Sequence, residues 1–183
     1  TGNATPPRFD SGQEALISSL KETHKDSACR HMSAAKVCSA RIRKGLKLLI
    51  EEDQVALAFR LTNEAILLQQ IAGRIPFREI SHPKGVRTWG GEEFILPSLS
   101  NSKASERSWR AFQIAFLLMS MPGLWDGQDP DREIADLIWF PTGGGKTEAY
   151  LGATAFHLFA RRLQDPDNHG TGVLMRYTLR LLT

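Results

Sequence analysis

Along the chain, stretches in which apolar residues recur every three or four positions alternate with stretches where Gly, Pro, Ser and Asp break any period. Ser11, followed three positions later by Glu14, forms a capping-box pattern and predicts a helix from Gly12 to about residue 23. Residues 34–51 place Val37, Ile42, Leu46, Leu49 and Ile50 near helical spacing, with Lys36, Arg41, Arg43, Lys44 and Lys47 between them. Asp53 is suited to cap a third helix over 54–72, whose many apolar residues predict burial on more than one side. Asn63 inside it is expected to meet a polar group of a neighbour. Residues 73–105 carry Pro76, Pro83, Pro97, Gly90-Gly91 and a Ser-rich end, and predict an irregular linker. A further helix begins at Ser105 or Ser108, carries Trp109, Phe112, Ile114, Phe116 and Leu118, and is expected to stop before Pro122-Gly123.

Beyond the acidic, Gly/Pro-punctuated loop 124–132 the pattern changes. The short apolar run 136–140 reads as a buried strand, 148–163 as an amphipathic helix, and 172–176 as a second strand after a Pro/Asp/Asn/Gly loop. Strand, helix and strand in succession predict the α/β class, with a parallel sheet flanked by helices. The expected organisation is an α-helical accessory region over residues 1–104, its linker starting near 73, followed by the first part of an α/β domain over 105–183. Because the chain opens at Thr1 and a doubly wound sheet needs more strands than these, the expectation is one piece of a longer protein.

The strand-to-helix junction is written Pro141-Thr142-Gly143-Gly144-Gly145-Lys146-Thr147. A phosphate chain is bound by backbone N–H groups that curl round it, and glycine permits both the curl and the close approach. Lys146 then reaches the β and γ phosphates as a flexible charge, and the Thr147 hydroxyl is suited to ligate Mg²⁺. The helix beginning at Glu148 turns its positive end toward the anion. Pro141, Thr142, the three glycines, Lys146, Thr147 and Glu148 are therefore the candidate binders of ATP and Mg²⁺. Phe140 occupies the place of the first glycine in the general G-x-x-x-x-G-K-[ST] pattern. The form with Pro-Thr before the glycines is how superfamily 2 helicases write this loop, so the motif resembles theirs.

Two other places fit that resemblance. Gln113, about thirty residues ahead of the loop, stands where such helicases read adenine, and an amide offers both the donor and the acceptor the task needs. Tyr177-Thr178-Leu179-Arg180 follows the second predicted strand, where the family grips a sugar-phosphate backbone with a hydroxyl and basic residues. Taken with Glu148-Ala149-Tyr150 and the stretch 174–183, residues 106–183 resemble the large helicase subunit of bacterial DISARM antiphage systems. The resemblance implies a partial RecA-like domain and an ATP-dependent DNA helicase or translocase acting with a second subunit of the same defence system. In that reading Lys146 and Thr147 are catalytic, Gln113 holds adenine, and Arg176, Thr178 and Arg180 hold DNA. The Asp-Glu pair and the arginine finger such a motor needs are not in this sequence, which leaves little hydrolysis to the piece alone. A protein-remodelling ATPase and a nucleotide-regulated interaction module are the alternatives.

Composition adds little to this. A net charge of +3 suits an anionic partner without requiring one. Cys29 and Cys38 lack metal-ligand spacing, no secretory segment is visible, and no apolar run spans a membrane. These observations lead to an expectation of a cytoplasmic protein with reduced thiols and no membrane partner.

Overall fold

The computed structural model describes residues 11–72, 80–90, 108–139 and 143–176. Five helices dominate them: α1 (Ser11–Ser18), α2 (Glu22–Glu51), α3 (Asp53–Ala72), α4 (Ala111–Trp125) and α5 (Lys146–Gln164). Between α3 and α4 a two-residue strand β1 (Ile80–Ser81) pairs antiparallel with β2 (Thr88–Trp89), within the stretch expected to be irregular. A 3-10 turn, Pro130–Glu133, precedes the glycine segment.

The expected RecA-like parallel sheet is corrected by this architecture. Among the described residues the only sheet is the pair β1–β2, and segments 134–139 and 171–176 run without strand pairing. Leu137 and Trp139, read as part of a buried strand, are 83% and 91% exposed, and Leu174 of the second expected strand is 93% exposed. Helices close their hydrogen bonds within one segment, whereas a strand depends on a neighbour, so an apolar run alone does not make a sheet.

The helices instead bury apolar surface against one another. Val55 and Ala58 of α3, Leu117 and Met121 of α4, and Phe156 and Ala160 of α5 form the fully buried centre, with Leu48 and Leu49 of α2 packed at its edge. Each large side chain so buried contributes roughly 1.5–3 kcal/mol. This core joins helices from both sides of residue 104. Helix α3 shows one buried row, Val55, Ala58, Thr62 and Ile66, at the i, i+3, i+4 spacing of a single face. Its flanks are half-buried, which is less than the expected burial on several sides. Where two helices were expected over 12–23 and 34–51, α1 stops at Ser18 and α2 runs unbroken for 30 residues.

Helix α4 also passes the expected stop, with Pro122 inside its last turn. Proline has no N–H to give to the carbonyl four residues back, which here belongs to Leu118. That carbonyl faces α2 at Gly45, where an added Cβ would lie 1.9 Å from the Leu118 oxygen. Gly45 thus lets the two backbones meet at a place where the oxygen lacks its usual helical donor. Gly45→Ala is expected to push α2 from α4 and destabilise the protein by about 1–3 kcal/mol or more, the cost of overpacking. Chemical denaturation of wild type and variant checks it, with an unchanged midpoint counting against the contact.

Candidate functional site

The glycine segment turns into α5 as its residue types require. Gly143 and Gly145 have φ of 79° and 86°, in the left-handed region, and Gly145 is the residue immediately before the helix. A Cβ on Gly145 would also stand 2.6 Å from the Gln113 amide nitrogen, so both conformation and space demand glycine there. Lys146 and Thr147 open α5, where the first-turn N–H groups have no intrahelical acceptor and the helix end is positive. The Glu148 carboxylate folds back toward Gly145.

Helix α4 supports this turn from behind. Gln113 is only 5% exposed. Its oxygen accepts the Arg110 backbone N–H at 2.8 Å and its nitrogen donates to the Gly145 carbonyl at 2.7 Å. The Arg110 guanidinium donates to the Gly144 carbonyl at 2.8 Å. Just ahead, Trp109 lies over Gly152 of α5 and its indole N–H donates to Asn63 of α3 at 2.7 Å, which is the polar contact expected of Asn63. The start of α4 is thereby fixed against α3, α5 and the glycine turn together. Phe116 and Tyr150 add an edge-to-face contact between α4 and α5 with ring centres 5.7 Å apart.

Lys146 and Thr147 border a cavity of about 940 Å³ that is shared with Arg132, Asp136, His157 and Arg176. The candidate residues Gln113, Gly143, Gly144, Gly145, Lys146, Thr147 and Glu148 therefore come together around the start of α5, and Arg176 lies on the same cavity. Pro141, Thr142, Thr178 and Arg180 fall outside the described residues. The adenine role assigned to Gln113 meets a side chain whose amide is engaged by two backbone groups. Arg110 was missed by the sequence reading; its only signal is its position three residues before Gln113, as half of a capping pair.

Two basic residues of α2 have specific carboxylate partners between residues 129 and 136. Arg41 is nearly buried and grips both Asp136 oxygens at 2.6 and 2.7 Å, while its Nε faces Asp131 at 3.7 Å, beyond hydrogen-bonding reach. Lys44 reaches Asp129 at 2.7 Å and Asp131 at 3.3 Å. The hydrogen bond to Asp136 holds the Arg41 guanidinium above its usual range against the opposing effect of burial. Burial would raise the Asp129 carboxyl, but the Lys44 bond, the Asp131 N–H and the charges of Lys44 and Arg41 outweigh it and lower it. Burial lowers His157, helped by the charges of Arg161 and Arg132. Its Nδ1 lies 3.2 Å from the Leu124 carbonyl, which can only accept, so Nδ1 carries the proton.

These features define a helical protein that presents a glycine turn and a cationic helix start beside a cavity. The chain is 37% identical over 171 residues to the DISARM protein DrmA of Bacillus paralicheniformis, covering 89% of this chain and 14% of that protein. The likeness to this DISARM protein reaches well before residue 106, where the motif resemblance began. The chain spans about one seventh of the length of the curated relative it matches. No family model matches it. Among the described residues no helix is long and apolar enough to cross a membrane.

Two outcomes follow from the charges. Asp136→Asn leaves a nearly buried guanidinium short of its counter-charge and is expected to cost about 3 kcal/mol, toward the low end for a broken buried pair because Asp136 keeps some exposure. Lys44→Ala, at an exposed position, should cost about 1 kcal/mol or less. Denaturant titration of the two variants checks the order, and equal losses would contradict it. The lowered His157 means that the unfolded chain takes up a proton first as pH falls below 6.5. Stability from this group is complete above that pH and is lost through the window below it. His157→Gln should flatten that part of a stability–pH curve, and an unaltered slope would count against the neutral assignment.

Proposed function

We propose that this chain carries the nucleotide-binding loop of an ATP-dependent DNA helicase or translocase that works in a DISARM antiphage system. The observation that carries the reading is the left-handed glycine turn running directly into α5, with Lys146 and Thr147 as its first two residues. The donor set fits a nucleoside triphosphate. Backbone N–H groups at the start of α5 and the Lys146 ammonium suit the phosphate oxygens, and the hydroxyl of Thr147, an exposed residue, suits Mg²⁺. Magnesium neutralises phosphate charge, and it is held mainly by phosphate and water oxygens, consistent with a single hydroxyl ligand from this segment.

Arg176, on the cavity shared with Lys146, is proposed with Thr178 and Arg180 to hold the sugar-phosphate backbone of DNA. A second subunit of the same system is proposed as its protein partner. In this function Lys146 neutralises charge on the transferred phosphoryl group, and hydrolysis relies on residues elsewhere in the intact protein.

ATP hydrolysis by the intact protein, measured with and without single-stranded DNA, tests the reading. DNA is expected to raise turnover, and Lys146→Ala is expected to lower it by about 100-fold or more, as for loss of a charge-stabilising donor. Turnover that ignores DNA would favour a protein-remodelling ATPase, and nucleotide binding without turnover would favour a regulated interaction module. Full activity in the Lys146 variant would show that the loop has been misread.

A further inference from the structure

We propose that Arg110 and Gln113 form a clamp that sets the direction of the phosphate-binding N–H groups, so that Gln113 acts as a positioning residue and does not read the base. The inference rests on the phosphate-loop reading of the preceding subsection. Arg110 takes the Gly144 carbonyl and Gln113 takes the Gly145 carbonyl, two consecutive peptide oxygens drawn toward the same helix. In a planar trans peptide the carbonyl and the N–H of the next residue point in opposite directions. Pulling the Gly144 oxygen toward α4 therefore turns the Gly145 N–H away from it, and pulling the Gly145 oxygen does the same for the Lys146 N–H. Those are the donors that a phosphate beside the start of α5 requires.

The clamp is itself held. The Gln113 oxygen is engaged by the Arg110 N–H, which fixes which end of the amide faces Gly145, and Trp109 anchors the segment between Asn63 and Gly152. An amide occupied in this way at both ends, and 5% exposed, is placed to support the turn. The glycine at 145 is part of the device, because a Cβ there would displace the Gln113 nitrogen. Arg110 belongs to the same unit although its guanidinium carries a charge, since its bond is to a backbone carbonyl.

Calorimetric binding of ATP, GTP and inorganic tripolyphosphate to the full-length protein tests this, using wild type, Arg110→Ala, Arg110→Lys, Gln113→Ala, the double alanine variant and Lys146→Ala. Stoichiometry reports any misfolded fraction separately from affinity, and Arg110 is exposed, so its variants spare the core. Each single alanine variant is expected to weaken all three ligands by one common factor of about tenfold, the scale of a lost charge-assisted or buried hydrogen bond. Arg110→Lys should recover most of its loss, since an ammonium also donates. The double variant should lose less than the product of the two, because both act through one turn.

Gln113→Ala weakening ATP while sparing GTP and tripolyphosphate would show that the amide reads the base and would overturn the clamp. Unchanged affinity in Arg110→Ala, or fully multiplicative losses in the double variant, would overturn it as well. A wild type that binds none of the three ligands, or a Lys146→Ala variant that binds them at full strength, would remove the phosphate-loop reading itself and the clamp with it.

Discussion

The turn of glycines at the start of α5 keeps its shape because α4 supplies donors to two of its carbonyls. A left-handed glycine segment has little side-chain material with which to hold itself, and its conformational freedom is the cost of its permissive backbone. Here the restraint comes from outside the turn, through Arg110 and the amide of Gln113. Those side chains are in turn placed by Trp109, which spans from Asn63 on α3 to Gly152 on α5. Packing of three helices and the geometry of one loop are therefore a single problem, solved at the first residues of α4.

The other end of α4 shows the same economy. Pro122 frees the Leu118 carbonyl from its helical partner, and Gly45 brings α2 close to that oxygen. Helix α2 then carries Arg41 and Lys44 to residues 129–136, where three carboxylates receive them. A nearly buried guanidinium is tolerable only because Asp136 meets it with both oxygens, and the loop ahead of the glycine turn is thereby tied to the helical region. Two of the basic residues spaced along α2 thus serve the protein's own carboxylates.

Much of the helical content was legible, because apolar residues at three- and four-residue spacing report a buried face whatever the partner. The buried row of α3, Val55, Ala58 and Ile66, follows that rule, whereas on α4 the buried Leu117 and Met121 are not among the apolar residues the sequence singled out. The glycine turn was legible for a different reason: consecutive glycines before Lys-Thr have few structural uses, and the positive φ values at Gly143 and Gly145 agree with the need that placed them there. The two predicted strands were not legible as what they are. An apolar run of five residues does not state whether it is paired, and pairing depends on neighbours that the run itself does not name. The unbroken α2 and the continuation of α4 through Pro122 were hidden likewise, since a proline in a last turn is harmless when its orphaned carbonyl finds another setting.

By itself the sequence determined the helix periods, the demand for glycine before Lys146, and the chemistry available at the start of α5, because each follows from local sterics and residue type. Tertiary structure alone decided that Gln113 turns both ends of its amide to backbone and that Arg110 joins it. It also decided that Arg41 belongs to Asp136 and that Leu118 meets Gly45. These pairings bring together residues up to 95 positions apart in the chain, and no local rule encodes which donor will face which acceptor once the helices have packed.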